Sequence, residues 1–315
     1  MSQSTPEIGM SGRPIFTSDI ARVLFFCYTT PMEMNSSRGS SGRGRALRFM
    51  VPIVIAIGLA IFRYASAPTV IDTETGRKIR GSLTDQQGET LGLQSFQEVL
   101  RSERVVPSGP AADQVIRVAK RLIEIVRQAE PGFDWKVSVV DSPQVNAFCL
   151  PGGKIVVYTG LLPVAKNDDG LAVVMGHEIA HAVLRHSSQR MLKTEVLNTV
   201  MQGASAAVAL GDMSLEQRRV VMGALGLGTQ FGVLMPFSRD HETDADERGL
   251  LYAARAGYNP QEAVGFWERM SAAGSGGQPP EFLSTHPSHG SRIAHLKEIM
   301  PKALAEYSRA TGKQR

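Results

Sequence analysis

The run Met175-Gly-His-Glu-Ile-Ala-His181 is the part of the sequence best suited to chemistry. If the run is helical, His177 and His181 lie on one face, one turn apart. At that spacing both imidazoles can reach a single zinc ion at about 2.0–2.1 Å. Glu178 points beside such a metal, where its carboxylate can take a proton from a zinc-bound water. The run therefore predicts a hydrolytic site with one Zn²⁺ per chain.

The alternative, a chance match on an ordinary helix, conflicts with the surroundings of the run. Residues 171–184 are otherwise mostly apolar, so the polar groups would be buried without partners unless a metal satisfied them. A catalytic zinc needs a third protein ligand and an open position. Spacing turns His186 off the face that carries His181. It does not choose among the other downstream candidates, which are His241, Glu242, Asp244, Asp246 and His286.

Hydrophobic periodicity predicts the elements that must position these residues. Before the motif it indicates a helix over 115–126, a strand over 135–140, and strands at 145–150 and 154–158 joined by the turn Pro151-Gly-Gly153. The motif helix is predicted to be capped at Asp168 or Asp169 and to run past Arg185. Further helices are predicted over 188–210, 214–227 and 240–256, and one more beginning at Asn259.

The N-terminal part of the chain predicts a disordered tail followed by a membrane segment. Residues 1–44 lack periodicity and include a stretch rich in Ser, Gly and Arg. Residues 45–67 contain an uncharged run between Arg48 and Arg63, short for a span of roughly 20 residues unless these arginines snorkel. We interpret the segment as an uncleaved anchor. The alternatives are a cleaved signal segment and a buried helix.

Charge around this segment predicts its orientation. Arginines crowd its N-terminal flank more than its other flank, which favours a cytoplasmic N-terminus. The chain is then a single-pass protein of the cell membrane, with its catalytic domain on the periplasmic or extracytoplasmic side. Residues 68–89 are predicted to form a polar linker, and residues 90–312 the domain that carries the zinc motif.

Composition excludes several other classes of protein. The formal net charge is +4, but the first 48 residues, with six Arg against three acidic groups, supply +3 of it. The remainder is nearly neutral and lacks the electrostatic footprint of a nucleic-acid binder. Two cysteines, Cys27 and Cys149, are too few for a disulfide framework or a cysteine-ligated zinc site. We expect protein or peptide substrates and a membrane contact, but no nucleic-acid partner.

Five motifs in order resemble those of metallopeptidase family forty-eight, and most closely its soluble-domain Oma-like bacterial members. They are Asn146-Ala-Phe148, Pro151–Leu162, the His177–His181 motif, Ser238–Asp246 and Thr285–Ile293. The resemblance implies an α+β fold, mainly helical, in which a gluzincin-type zinc metalloprotease domain with a small β-sheet or hairpin follows one N-terminal membrane helix. It also implies a membrane-tethered zinc endopeptidase, and by analogy envelope protein quality control.

The resemblance assigns two carboxylates that spacing left open. The family pattern makes Glu242 the third zinc ligand. Asp246 would be the carboxylate that orients a ligand histidine. Of the remaining motif residues, His286 would be an oxyanion stabiliser or a plug, and Arg292 would contact a substrate carbonyl or support the site. The structural alternatives are that His286 caps a turn and that Arg292 anchors the C-terminal helix.

Asn146 and Ala147 resemble the edge strand with which the family binds extended substrate. Asn146 could otherwise simply cap a strand end. Two other functions stay open on sequence alone. A zinc-stabilised chaperone or binding module for envelope proteins would not need the base Glu178. A metal hydrolase acting on non-peptide substrates would not need a strand beside the zinc helix.

Overall fold

The structure, a computed structural model, describes residues 42–128, 130, 132–210, 214–216, 219, 237–273, 280–287 and 291–312. The chain divides into two units, residues 1–44 and 45–315. The predicted disordered tail, residues 1–44, lies outside the described residues except for its last three. Most of the helix predicted over 214–227 also lies outside them.

The described elements follow one another along the chain as a helix, a hairpin, two helices, three strands and a series of helices. In order they are α1 (Gly42–Ser66), β1 (Thr69–Ile71), β2 (Lys78–Arg80), α2 (Asp85–Ser102), α3 (Pro110–Val126), β3 (Lys136–Val140), β4 (Ala147–Leu150), β5 (Lys154–Tyr158), a 3₁₀ turn (Thr159–Leu161), α4 (Leu162–Ala165), α5 (Asp168–Val183), α6 (His186–Leu210), α7 (Arg239–Arg255), α8 (Glu262–Ala273), α9 (Glu281–Thr285) and α10 (Arg292–Thr311). The predicted α+β fold, mainly helical with a small sheet, is confirmed.

The three-stranded sheet has the order β3-β5-β4. The central strand β5 is buried throughout and runs parallel to β3, with Lys136 opposite Lys154. It pairs antiparallel with β4, where Leu150 lies opposite Lys154. The predicted hairpin turn is confirmed, and its Gly152 and Gly153 adopt φ values of +74° and +83°. Glycine tolerates this left-handed region without steric cost. β4 is left at an edge of the sheet.

Helix α5 carries the histidine motif and is buried from Gly170 to Val183. Its N-cap is Asn167, whose side chain accepts a hydrogen bond from the Gly170 amide at 2.8 Å. The predicted caps, Asp168 and Asp169, instead occupy the first turn. There their negative charges interact favourably with the helix dipole.

The helix also ends earlier than predicted. It stops at Val183 instead of continuing past Arg185, because Arg185 has a φ of +54°. A non-glycine residue in this region cannot continue a right-handed helix. The next helix, α6, begins at His186, so the chain changes direction between the two.

Helices α5 and α7 cross at a pair of glycines. A Cβ on Gly176 would lie 2.6 Å from the Gly249 carbonyl oxygen, and a Cβ on Gly249 would lie 2.5 Å from the His177 amide nitrogen. Any side chain at either position would force the helices apart. Because both residues lack a side chain, the two backbones can touch, which brings the acidic residues of α7 next to the histidines of α5.

Segment 68–89, predicted as a linker, is folded onto the domain. It contains the β1–β2 hairpin and the start of α2, where Thr84 and Gln87 form a capping box. Asp72 is 6% exposed and accepts hydrogen bonds from the Arg248 guanidinium at 2.8 and 3.2 Å. This pairing between residues 176 positions apart holds the hairpin against α7. The folded unit therefore begins before residue 90.

Among the described residues, one helix, α1, is long and apolar enough to cross a membrane. It packs against α6, where a Cβ on Gly203 would come within 2.1 Å of the Ala56 Cβ. Arg63 pairs with Glu195 at 3.0 Å. These two contacts show that the helices run antiparallel.

Candidate metal centre

Four side chains from three parts of the fold converge beside α5. They are His177 and His181 from α5, Glu242 from the first turn of α7, and His286 after α9. Their potential ligand atoms all lie within 4.8 Å of one another, and each residue is at most 3% exposed. The Nε2 atoms of His177 and His181 are 3.0 Å apart.

The donor set fits a divalent metal ion. Glu242 Oε2 lies 3.5 Å from His177 Nε2, and its Oε1 lies 3.4 Å from His181 Nε2. Two imidazole nitrogens and one carboxylate thus point at a common volume that is closed to solvent. Such groups are costly to bury unless a shared cation or shared protons satisfy them. Two histidines and one glutamate are also a known ligand set of catalytic zinc.

Asp246 fixes the orientation of His177. Its Oδ1 lies 2.9 Å from His177 Nδ1, so that nitrogen donates and Nε2 turns toward the centre. Burial alone would lower the pKa of His177, but hydrogen bonds with Asp246 and Glu242 outweigh it and raise the pKa to about 9. A metal ion at the centre would compete with a proton for Nε2 of His177.

Arg292, the first residue of α10, joins the two carboxylates of α7. Its Nη2 donates to Asp246 at 2.6 Å, and its Nη1 lies 3.0 Å from Glu242 Oε2. The guanidinium carbon sits 3.4 Å from the centroid of the Trp267 ring. Both partners of the ion pairs are buried, so the arginine balances their charge within the protein. Its Nη2 also lies 3.3 Å from Nδ1 and 3.4 Å from Nε2 of His177.

Glu178 lies beside the cluster. It is 3% exposed, and its Oε1 makes no hydrogen bond with the described residues. The nearest ring nitrogen is Nε2 of His286, 3.4 Å away. Burial raises the pKa of Glu178, outweighing the neighbouring histidines that lower it. A raised pKa makes a carboxylate a stronger proton acceptor than an exposed glutamate.

The edge strand β4 lies next to this helix. Ala147 begins the strand with its side chain buried, and Asn146 is half-buried just before it. The Asn146 carbonyl accepts a hydrogen bond from the Tyr158 amide at 3.1 Å, which extends the pairing with β5. Among the described strands, β4 pairs with β5 alone. Its other edge has no strand partner among the described residues, and just before the strand the Val145 carbonyl accepts a hydrogen bond from the Phe282 amide at 3.3 Å.

Comparison with known proteins identifies the family. The model of "Peptidase family M48" matches residues 111–300, which include the histidine motif, both α7 carboxylates and Arg292. The chain belongs to peptidase family M48. The resemblance found in the five motifs is thus confirmed for most of the folded unit.

Several members of M48 are similar in sequence. Mitochondrial metalloendopeptidase OMA1 of Schizosaccharomyces pombe is 38% identical over 213 residues, 66% of this chain and 60% of that protein. Metalloendopeptidase OMA1 of Homo sapiens is 33% identical over 223 residues, 68% and 42% of the two chains. The β-barrel assembly-enhancing protease of Escherichia coli K12 is 29% identical over 203 residues, 63% and 41%. The chain therefore covers less than two thirds of the length of each relative.

Two residues of this M48 site were missed by sequence reasoning. His186 is fully buried, and its Nδ1 lies 2.9 Å from the Nδ1 of His181. On a continuous helix a spacing of five points it elsewhere, and nothing in the sequence marks the break at Arg185. Trp267 lies under Arg292 and 5.9 Å from His177, centroid to centroid. A lone tryptophan in an amphipathic helix gives no signal of this role.

Proposed function

We propose that the chain is a membrane-tethered zinc metalloendopeptidase. The observation that carries this proposal is the buried convergence of His177, His181 and Glu242, with Glu178 beside them. Membership of M48 and the names of the OMA1 relatives support it. Because both the donor set and a potential base are present, hydrolysis explains the site better than a purely structural metal does.

The protein would hold zinc through Nε2 of both motif histidines and the Glu242 carboxylate. When bound, zinc supplies a Lewis acid that polarises water and the scissile carbonyl. The chain's own contribution is to orient the ligands. Asp246 fixes the His177 ring, and Arg292 holds Asp246 and Glu242 in place through ion pairs of 2.6 and 3.0 Å.

Glu178 would act as general base and then as proton donor. In the first step it removes a proton from the attacking water, and in the second it returns a proton to the leaving amine. Its side chain is unengaged at Oε1, and burial raises its pKa. Both features suit a group that must change protonation state during the reaction.

His286 would regulate access to the centre. Its Nδ1 lies 3.0 Å from Glu242 Oε1 and 3.3 Å from His177 Nε2, which makes it a fourth donor. Four protein ligands describe a closed structural site, whereas catalytic zinc keeps one position open. These distances favour a role for His286 as a plug that occupies the open position over a role as an oxyanion stabiliser. We infer that His286 withdraws when substrate binds.

Peptide substrates would bind as an added strand on β4, beginning near Asn146 and Ala147. That edge borders the helix that carries Glu178, so a paired peptide would pass the catalytic groups. One relative is named a β-barrel assembly-enhancing protease. With the apolar α1, this name supports a role in envelope protein quality control, with the catalytic domain on the extracytoplasmic side of the cell membrane.

The purified chain should contain about one zinc ion and hydrolyse casein. His181→Ala should lose both properties, because one of three ligands is gone. A chelator should inactivate the wild type, and added zinc should restore it. His295→Ala is the matched control, since His295 lies on α10 and pairs with Glu298 outside the cluster. Full zinc content in His181→Ala would remove the proposed site.

Membrane attachment should depend on α1. Deletion of residues 1–66 should release the protein into the soluble fraction and leave the β1–β2 hairpin intact. Deletion to residue 72 should also destabilise it, because Asp72 is the buried partner of Arg248. Fractionation of the two deletions, with thermal unfolding of each, tests this. If the shorter deletion stays with membranes, the attachment lies elsewhere, and α6 would be examined next.

A further inference from the structure

His186 is the buried polar residue beside the centre that the proposed mechanism does not use. It begins α6, is 0% exposed and is not among the four converging donors. Its Nδ1 lies 2.9 Å from Nδ1 of His181, a hydrogen-bonding distance between two ring nitrogens. The face of its ring stacks on the ring of His241, with centroids 4.3 Å apart and an interplanar angle of 15°.

The pair can hold only one proton between the facing nitrogens. A proton on both would set N–H against N–H, and a proton on neither would oppose two lone pairs. Nε2 of His181 points at the metal centre, 3.4 Å from Glu242 Oε1. To ligate a metal that nitrogen must present its lone pair, so the ring proton of a neutral His181 must sit on Nδ1. Among the described residues, the acceptor in reach of that proton is Nδ1 of His186.

We propose that His186 is a positioning residue that accepts the Nδ1 proton of His181 and so holds Nε2 ready for zinc. This inference rests on the proposed zinc function. His186 would thus orient the His181 ring through Nδ1, as Asp246 orients the His177 ring through a contact of 2.9 Å between its Oδ1 and His177 Nδ1. Ligand histidines are commonly oriented through their second nitrogen in this way.

The choice of a neutral acceptor fits the charges already present. Glu178, Glu242 and Asp246 are three buried carboxylates, and among the described residues Arg292 is the cation that pairs with the last two. A fourth carboxylate at position 186 would add a buried negative charge that Arg292 does not balance. An imidazole accepts the hydrogen bond without changing the net charge of the site.

The fold holds His186 in place through the turn that precedes it. The left-handed Arg185 redirects the chain, and its guanidinium is fixed by Glu130 at 2.9 Å and Asp85 at 3.1 Å. It also donates to the carbonyl oxygens of Ala182 and Val183, both at 3.2 Å. These contacts cap the end of α5 and set the position from which the His186 ring reaches back to His181.

Two substitutions in the full chain separate the acceptor from the bulk of the ring. His186→Asn places Oδ1 near the position of Nδ1 and keeps an acceptor, whereas His186→Leu fills similar space without one. Zinc affinity is measured by competition with a chelator, and thermal unfolding of the metal-free proteins reports the fold. We expect zinc binding to weaken about 10–100-fold in the leucine variant and only a few-fold in the asparagine variant.

The outcomes are distinct. Wild-type zinc affinity in the leucine variant would overturn the role of His186 and leave the proposed function standing. Equal loss in both variants would also overturn it, since packing and not the acceptor would then matter. A wild-type chain that binds no zinc would overturn the proposed function itself. Should leucine prevent folding of the metal-free protein, His186→Ala serves as the variant that lacks an acceptor.

Discussion

Glu178→Gln should reduce peptide hydrolysis by about 10²–10⁴-fold while zinc stays bound. Glutamine has nearly the shape of glutamate but cannot take a proton from water. The ligand atoms of His177, His181 and Glu242 do not depend on this side chain, whose Oε1 makes no hydrogen bond with the described residues. Casein hydrolysis and metal content of the same preparation give the two readouts.

The matched control is Glu268→Gln, which makes the same change at an exposed position on α8. It should leave both activity and metal content unchanged. Hydrolysis at the wild-type rate in Glu178→Gln would require another base. Loss of zinc together with loss of activity would instead make Glu178 a structural part of the centre, and the proposed division between ligands and base would fail.

Local patterns were sufficient for much of this site. The spacing of His177 and His181 predicts a shared helical face, and the structure has both on α5. The Pro151-Gly-Gly153 turn between two β-rich runs predicts the hairpin, and the structure forms it. In each case the responsible interactions join residues a few positions apart, so the sequence contains the information in one window.

Contacts across the chain could not be predicted in this way. Asp72 pairs with Arg248, and this ion pair turns an apparently polar linker into part of the fold. Gly176 and Gly249 let α5 and α7 touch, yet each glycine alone resembles an ordinary weak point in a helix. The positions of Glu242 and Asp246 relative to the histidines follow from that crossing, which is why spacing left the third ligand undecided.

The backbone angle φ of Arg185 explains why the sequence did not predict the contact between His186 and His181. With α5 continuing through Arg185, His186 would face away from His181. The left-handed φ at Arg185 ends the helix and brings the two rings to 2.9 Å. Arginine has no preference for this conformation, so the residue type at position 185 did not predict the turn. It is stabilised by ion pairs with Asp85 and Glu130, which lie far away in sequence.

Alanine substitution of the three acidic residues on α7 should affect zinc binding to different degrees. Glu242→Ala should empty the site or nearly so, because both oxygens of a direct ligand are lost. Asp246→Ala should leave a site that still loads, with affinity reduced about 10–100-fold. Asp244→Ala should bind zinc like the wild type, because Asp244 pairs with Arg77 at 2.6 Å on a partly exposed surface. Zinc titration of the purified variants measures all three.

The ranking follows from where each carboxylate lies. Glu242 places Oε2 3.5 Å from Nε2 of His177 and Oε1 3.4 Å from Nε2 of His181, the nitrogens that face the centre. Of the two motif histidines Asp246 contacts His177, at Nδ1 on the side of the ring away from the centre. Removing Asp246 frees the ring to rotate but leaves all three proposed ligands in the protein. Removing Glu242 leaves the two motif histidines, with His286 as the remaining donor, and it also exposes one end of the buried Arg292 guanidinium to a centre that must accept a divalent cation.

The repulsion between Arg292 and a bound metal ion can be tested separately by substituting Arg292. If Glu242→Ala loses zinc partly because Arg292 has lost one of its two carboxylate partners beside the centre, then adding Arg292→Met should restore some affinity by removing the repulsion. If only the missing ligand matters, the double variant should bind no better than Glu242→Ala. The same substitution in the wild type should weaken binding, because Arg292 holds both carboxylates in place. A tightly loaded Glu242→Ala beside a metal-free Asp246→Ala would mean that the ligand has been assigned to the wrong carboxylate.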